Sequence, residues 1–338
     1  MTDRKTILHV AKESGVSPAT VSRVMNNHPY VKEATRDKVM EVIEKLEYQR
    51  NNMASGLRSN KTYTIGLIVP RISMFFQAEI ITAVQRGLYA HGYQLMICQS
   101  DDTIQLEKEL VKVLHAARVD AVVAACSLHT TDFSHFDLLI RSGIPVIFYD
   151  RVPMHKTEAI LIKGDDLHGG YIATEHLIAA GCKKIAHISG PVACNLYKDR
   201  SAGFEKAMKK HKLPVREEWI FHQELTTQNA LSALEKIFQK KNRPDGLFAD
   251  NDTTAIAALQ YAQASGIAVP DELRIVGYSN DPRSSIINPS VTTVEQYPAK
   301  MGEQVVETLI AVLAHKKNAA AANVPVVVPV SLVKRASA

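Results

Sequence analysis

A chain of 338 residues is too long for one compact core and implies two or three domains. Hydrophobic residues at 46% and charged residues at 22% exclude an intrinsically disordered chain. The net charge is +5, and residues 1–61 hold 11 Lys and Arg against 7 Asp and Glu, so most of the surplus sits where a nucleic-acid partner is expected. Cys98, Cys126, Cys182 and Cys194 are far apart and form no C-x-x-C pair, which argues for reduced, buried thiols and against a zinc ribbon or disulfide framework. The polar N-terminus has no signal-peptide pattern, and no apolar run reaches the length of a membrane span. The expected location is the cytoplasm, with no membrane partner.

In chain order, residues 6–14 read as a first helix, with Thr6 as its cap, Ile7, Val10 and Ala11 facing inward, and Gly15 as its end. A second helix over 17–25 follows a tight turn. Ser17 can cap it, and Pro18 suits the first helical position. Val21, Val24 and Met25 form its inward stripe, leaving Pro18, Ala19, Ser22 and Arg23 on the other face. Two short helices joined by a Gly-containing turn make a helix-turn-helix. Arg23 carries the donor fork that suits guanine O6 and N7. Residues 33–47 give a third helix with Val39, Val42, Ile43 and Leu46 inward.

Residues 48–61 are polar and Asn-rich, with Met53, Ala54 and Leu57 at helical spacing. They read either as a linker or as a marginal helix that needs DNA and a second subunit. From Thr62 apolar strands alternate with helices, the pattern of βα units around parallel sheets. A first series begins with strand 63–70, and a second begins with strand 159–163. The expected fold is therefore an α/β core of two doubly wound parallel-sheet lobes, preceded by a small all-α helix-turn-helix domain. After Pro289 come a strand over 292–294, a helix over 298–315, an Ala-rich link over 319–322 and a strand from Val324 to Val333, which can cross back to complete both lobes. The working boundaries are 1–49, 50–61, 62–162 with 292–322, and 163–291 with 323–338. Ligands of open α/β sheets bind beyond the carboxyl ends of the strands, so the cleft between lobes is the expected pocket.

The chain closely resembles the LacI/GalR family of bacterial transcription regulators. The resemblance rests on Val10-Ala11, Gly15-Val16-Ser17, Ala19 to Asn26, Thr35-Arg36, Ile65 to Pro70, Gly143 to Val146, Gly169-Gly170, Gly190-Pro191, Arg200 to Phe204, Asp250 to Asp252, Val276 to Tyr278 and Pro289 to Val294. It implies a homodimer on near-palindromic double-stranded operator DNA, acting as a repressor. Ser17, Pro18, Ala19 and Arg23 would then face bases, while Thr6, Thr20, Ser22 and Asn26 hold phosphates. Asn51, Ala54 and Leu57 would belong to a hinge at the minor groove, with Leu57 as a wedge. Arg50 and Ser55 depart from the family's usual Pro and Arg in this hinge.

The same resemblance implies a periplasmic-binding-protein-like core that senses a small-molecule effector, a sugar or sugar derivative, through Phe75, Phe76, Asp150, Arg200, Asn251, Asp252 and Ser279. Ser279 stands where many sugar-responsive members have Asp, and Leu225 near where some stack an aromatic ring on the ligand. A protein corepressor on the N-terminal lobe stays open as a further partner. The alternative reading is a solute-binding receptor without a DNA role, which the helix-turn-helix opposes. An enzyme is not expected, since G-x-G-x-x-G, G-x-x-x-x-G-K-[S/T] and H-E-x-x-H are absent, and no cofactor or metal is expected.

Overall fold

The computed structural model describes residues 5–25, 28–48, 61–239, 241–314 and 324–338. The hinge assignments Asn51, Ala54 and Leu57, the phosphate assignment Asn26, the departures Arg50 and Ser55, and the link 319–322 lie outside them. The chain divides into two units, Met1–Thr62 and Tyr63–Ala338.

The first unit holds α1 (Ile7–Ser14), α2 (Pro18–Met25) and α3 (Glu33–Lys45). Val10, Ala11, Val21, Val24 and Val39 are buried together, so one residue stripe from each helix makes the core. Gly15 ends α1 in the left-handed conformation at φ 65°, which a residue without Cβ adopts at little cost. Arg36 on α3 donates to the Val24 carbonyl at 3.2 Å and to the His28 carbonyl at 3.0 Å, satisfying acceptors at and beyond the end of α2.

The second unit contains two lobes. The first lobe is a six-stranded parallel sheet in the order β11-β5-β4-β3-β1-β2. Its strands are β1 (Thr64–Val69), β2 (Gln94–Gln99), β3 (Ala121–Ala124), β4 (Val146–Tyr149), β5 (Ile160–Gly164) and β11 (Val326–Val328). The helices α4 (Phe75–Ala90) and α12 (Pro298–Ala314) cover one face through Ile80, Val84, Met301 and Val305. The helices α5 (Ile104–Ala116) and α6 (Asp137–Arg141) cover the other through Val111, Leu114 and Leu139.

The second lobe is a four-stranded parallel sheet in the order β7-β6-β8-β9, from β6 (Ile185–Ser189), β7 (Ile220–His222), β8 (Gly246–Ala249) and β9 (Arg274–Val276). Around it lie α7 (Asp166–Ala179), α8 (Asn195–Lys210), α9 (Thr227–Phe238), α10 (Asp252–Ala264) and the short α11 (Arg283–Ile286). A separate antiparallel pair joins β10 (Thr293–Glu295) to β12 (Ser331–Val333).

Three details differ from the sequence reading. Strand 160–164 opens no second series; it pairs with β4 and belongs to the first sheet. A fully buried strand carries no pattern that says which sheet it joins. Thr292 bridges Val276 of the second lobe, so the segment near 292 begins in that lobe before α12 crosses to the first. The last strand is two short ones split at Pro329, and the earlier one, β11, lies beside β5 in the first lobe.

The tightest packing is between α7 and α8. A Cβ on Gly170 would lie 2.1 Å from the Arg200 carbonyl oxygen, and one on Gly203 would lie 2.2 Å from the Leu167 carbonyl oxygen. Both obstacles are helix backbone, which cannot move alone. Gly203→Ala should therefore destabilise the core by about 3 kcal/mol or more, read as a lower urea midpoint. An unchanged midpoint would mean that the two helices can separate freely.

Candidate DNA interface and interlobe site

The exposed face of α2 is short-chained at its tip and ends in one arginine. Ser17 accepts a hydrogen bond from the Thr20 N–H at 3.1 Å, and its hydroxyl lies 2.9 Å from Thr20 Oγ1, so this residue caps the helix. Val21 and Val24 are buried at 0% and 1% exposure, which fixes the rotation of the helix. Ser17, Pro18, Ala19 and Arg23 are then exposed, while Thr20 and Ser22 are half-buried. Thr6 is exposed at the start of α1, where its N–H donates to His9 Nδ1 at 3.0 Å. Short side chains let the backbone approach base edges, and the guanidinium behind them matches the two acceptors of guanine.

In the core unit, Asp150 follows β4 at φ 59°, a left-handed residue directly past a strand end. It is 5% exposed. Burial pushes its carboxyl up to about 6, against the pull of Arg151 and Arg200. Gln77 on α4 approaches this carboxylate at 3.5 Å and accepts the Tyr149 hydroxyl at 2.6 Å. Phe76 packs in the core of the first lobe, whereas Phe75 is half-buried.

Arg200 is 4% exposed and is held by hydrogen bonds from Nε and Nη1 within its own lobe. Its Nε donates to Asp166 Oδ1 at 2.8 Å, and its Nη1 to the Asp250 carbonyl at 2.6 Å. The guanidinium carbon lies 3.6 Å from the centre of the Tyr278 ring, and the Tyr278 hydroxyl donates to the same Asp166 oxygen at 3.1 Å. Burial alone would lower the arginine's pKa, but Asp166, Tyr278 and Asp250 outweigh it and hold the cation charged.

Asn251 and Asp252 also serve the fold. Asn251 caps α10, accepting the Thr254 N–H at 2.8 Å, and donates to the Leu225 carbonyl at 3.1 Å. Asp252 is 1% exposed and accepts the Thr293 hydroxyl at 2.6 Å and the Asp281 N–H at 2.7 Å. Ser279 is half-buried at φ 98°, in a strained turn after β9.

The sequence reading missed Asn195. It begins α8, donates to the Asp150 carbonyl at 3.0 Å and accepts the Val152 N–H at 2.8 Å, so one side chain joins the two lobes. Other bridges are His129 Nε2 to Glu224 Oε1 at 3.0 Å and Lys163 to Asp199 at 2.5 Å. Leu128 of the first lobe packs with Leu196, Tyr197 and Leu225 of the second. Nothing local in sequence marks Asn195, because an amide at a helix start reads as a cap. The only available signal was its position past the end of β6.

A helix-turn-helix unit on a two-lobed core defines a DNA-binding regulator, and comparison with known proteins agrees. Residues 6–51 match bacterial regulatory proteins of the lacI family, and residues 174–338 match a periplasmic binding protein-like domain. The HTH-type transcriptional repressor PurR of Vibrio parahaemolyticus is 34% identical over 306 residues, covering 90% of this chain and 91% of that protein. Its namesake from Haemophilus influenzae strain PittEE is 33% identical over 312 residues, covering 92% of each. Among solved structures, the transcriptional regulator CelR–cellobiose complex aligns with a TM-score of 0.75 at 27% identity, covering 99% of this chain and 100% of that one. The lac repressor dimer bound to operator and the anti-inducer ONPF shares the fold, with a TM-score of 0.87 at 24% identity over 99% of both chains. The chain belongs to the LacI family of DNA-binding transcriptional repressors, which are not enzymes, and carries that family's periplasmic-binding-protein-like core.

Burial lifts the Asp252 carboxyl to about 7 despite its two donors. An ordinary carboxylate in the unfolded chain ionises near pH 4, so the unfolded state binds fewer protons between about pH 4 and 7, and stability falls as pH rises through that window. Asp252→Asn can keep the Asp281 N–H as a donor and offer its own NH2 to Thr293. It should raise the urea midpoint at about pH 8 and flatten its decline from about pH 5. An unchanged slope would show that Asp252 ionises normally in the folded protein.

Proposed function

We propose that this repressor binds a near-palindromic operator as a homodimer, reading bases with Ser17, Pro18, Ala19 and Arg23 and holding phosphates with Thr6, Thr20, Ser22 and Asn26. The observation that supports this is the solvent-facing side of α2, held in place by Val21 and Val24 behind it. Pro18 and Ala19 have no side-chain donor or acceptor, so they select by shape and apolar contact, and Arg23 supplies the hydrogen-bonded base contact. Asn51, Ala54 and Leu57 are proposed as the hinge at the operator centre on the strength of their sequence positions alone.

The core is proposed to hold a small effector between its lobes, a sugar or sugar derivative, whose binding alters the lobe angle and so the operator affinity. CelR has been solved with cellobiose, which supports a carbohydrate. The similarity to repressors named PurR makes nucleobases the other class to test. Effector and operator must change each other's affinity by the same factor.

The operator can be selected from a random DNA pool with the full chain, and Arg23→Ala then compared on it. The specific affinity should fall by about 1–3 kcal/mol while binding to unrelated DNA changes little. Normal specific affinity would remove Arg23 as the base-reading residue. An equal loss on both DNAs would make it a phosphate contact.

A further inference from the structure

Two of the four buried cysteines reach the lobe junction from opposite sides. Cys126 lies just past the end of β3 in the first lobe, and Cys194 is the residue before α8 in the second. Both line one cavity of about 70 Å³, together with Arg151, Val152 and Asn195. Both are also anchored to the same three residues. The Cys126 N–H donates to the Arg151 carbonyl at 3.4 Å, and Arg151 Nη1 donates back to the Cys126 carbonyl at 3.4 Å. Asn195, the neighbour of Cys194, donates to the Asp150 carbonyl at 3.0 Å and accepts the Val152 N–H at 2.8 Å. The segment 150–152 therefore brings the two cysteines to one place. Electrostatics agrees: a charge on Cys194 acts on Cys126 more strongly than the charge of Arg151 does, although that guanidinium touches the Cys126 carbonyl. Cys98 and Cys182 do not line the cavity; Cys98 sits within β2, and Cys182 donates to the Asp245 carbonyl at 3.3 Å.

We infer that Cys126 and Cys194 are a redox pair, which a hydroperoxide converts into a disulfide that ties the two lobes together. The inference does not depend on which effector the core takes. Burial lifts the Cys194 thiol to about 11 and the Cys126 thiol well above its ordinary value, while Arg151 opposes the rise at both. The pair therefore rests as two thiols, slow to react, with a cation at hand for the thiolate when it forms. Cys194 is the first to react, being 6% exposed against 1% for Cys126 and the less strongly raised. Its sulfur attacks one peroxide oxygen and the O–O bond breaks. The departing hydroxide takes the thiol proton and leaves as water, and Cys194 becomes a sulfenic acid. The Cys126 sulfur then attacks the sulfenic sulfur, an S–S bond forms, and a second water leaves. Two thiols are oxidised and one peroxide is reduced, giving one disulfide and two waters.

The oxidant has room and a way in. The cavity exceeds the space one water needs, and it shares Val152, Met154, His155 and Asn195 with a wider groove of about 590 Å³. The consequence follows from the position of the bond. An S–S link beside Asn195 makes the joined arrangement covalent, so the parted arrangement is lost, and with it any response that depends on the lobes changing their angle.

The test treats the full chain with hydrogen peroxide, alkylates the remaining thiols under denaturation, and maps the unreduced peptides by mass spectrometry. The expected product is one peptide pair joined through Cys126 and Cys194, two hydrogens lighter than the separate peptides and released by dithiothreitol. Cys126→Ser and Cys194→Ser should each abolish it, and Cys98→Ser should leave it unchanged. In the oxidised chain the Val152 amide should exchange its hydrogen about tenfold more slowly or less, because its partner Asn195 can no longer move away. The inference is overturned if the sulfurs appear as sulfinic or sulfonic acids without a cross-link, or if the link joins another cysteine or two chains. It is overturned too if the disulfide forms and Val152 exchange stays the same. Recovery of both thiols after peroxide treatment in urea below the unfolding midpoint, where local opening admits the reagent, overturns it as well.

Discussion

The second lobe is organised around one buried cation. Arg200 stacks on Tyr278, pairs with Asp166 and donates to the Asp250 carbonyl, and so links α8, α7 and the segments that follow β8 and β9. A guanidinium at 4% exposure is tolerable only because every charge and ring around it is in place. Removing one partner of such a pair costs about 3–5 kcal/mol, because the other charge stays buried and uncompensated. The two glycines at the α7–α8 contact belong to the same device. With any side chain at Gly170 or Gly203 the helices would stand apart, and Arg200 would lose its reach to Asp166. The strict-looking motif Arg200-Ser201-Ala202-Gly203-Phe204 is therefore a packing solution as much as a binding signal. Phe204 extends it by stacking on His187, whose Nε2 lies 2.8 Å from the buried Asp250 carboxylate.

The elements legible in the sequence are those whose chemistry is local. Thr6, Gly15, Ser17 and Pro18 mark the ends of α1 and α2, and the stripe Val21, Val24 sets which face of α2 meets solvent. The helix read over residues 33–47 from Val39, Val42, Ile43 and Leu46 is legible for the same reason and appears as α3 (Glu33–Lys45). What stayed hidden depends on long-range pairing. The strand Ile160–Gly164 and the strand Val326–Val328 sit side by side in the first sheet although more than 160 residues separate them. Hydrophobic runs say that a strand is buried, not between which neighbours.

The interlobe residues show a second kind of ambiguity. Asn251 at a strand end reads equally well as a ligand contact or a helix cap, and the structure uses both its amide atoms on backbone. Asp252 reads as a charged contact, yet it lies behind Thr293 and the Asp281 N–H. Resemblance transfers a residue's position, but its free hydrogen-bonding capacity depends on neighbours far along the chain. Asp150 is the counter-example. Its φ is 59°, burial at the lobe junction raises its carboxyl to about 6, and Arg200 of the other lobe pulls it down.

Those neighbours also decide how a signal can leave the core. The lobes are joined by the Asn195 clasp, by Lys163–Asp199, by His129–Glu224 and by the leucine cluster around Leu128. His129 and Glu224 are about half exposed, so water weakens their attraction, and each such surface pair contributes about 1 kcal/mol or less. The Asn195 amide is different, because it is 5% exposed and its two partners are backbone groups. If the lobes part, a buried carbonyl and a buried N–H lose their partner together, unless water or a ligand replaces it. That makes the clasp a two-position element rather than a soft spring. A ligand that competes for Asn195 favours parting of the lobes, whereas one that adds contacts across them favours the joined arrangement. Coupling to the operator requires only that the two arrangements differ in what they allow the DNA-binding units to do.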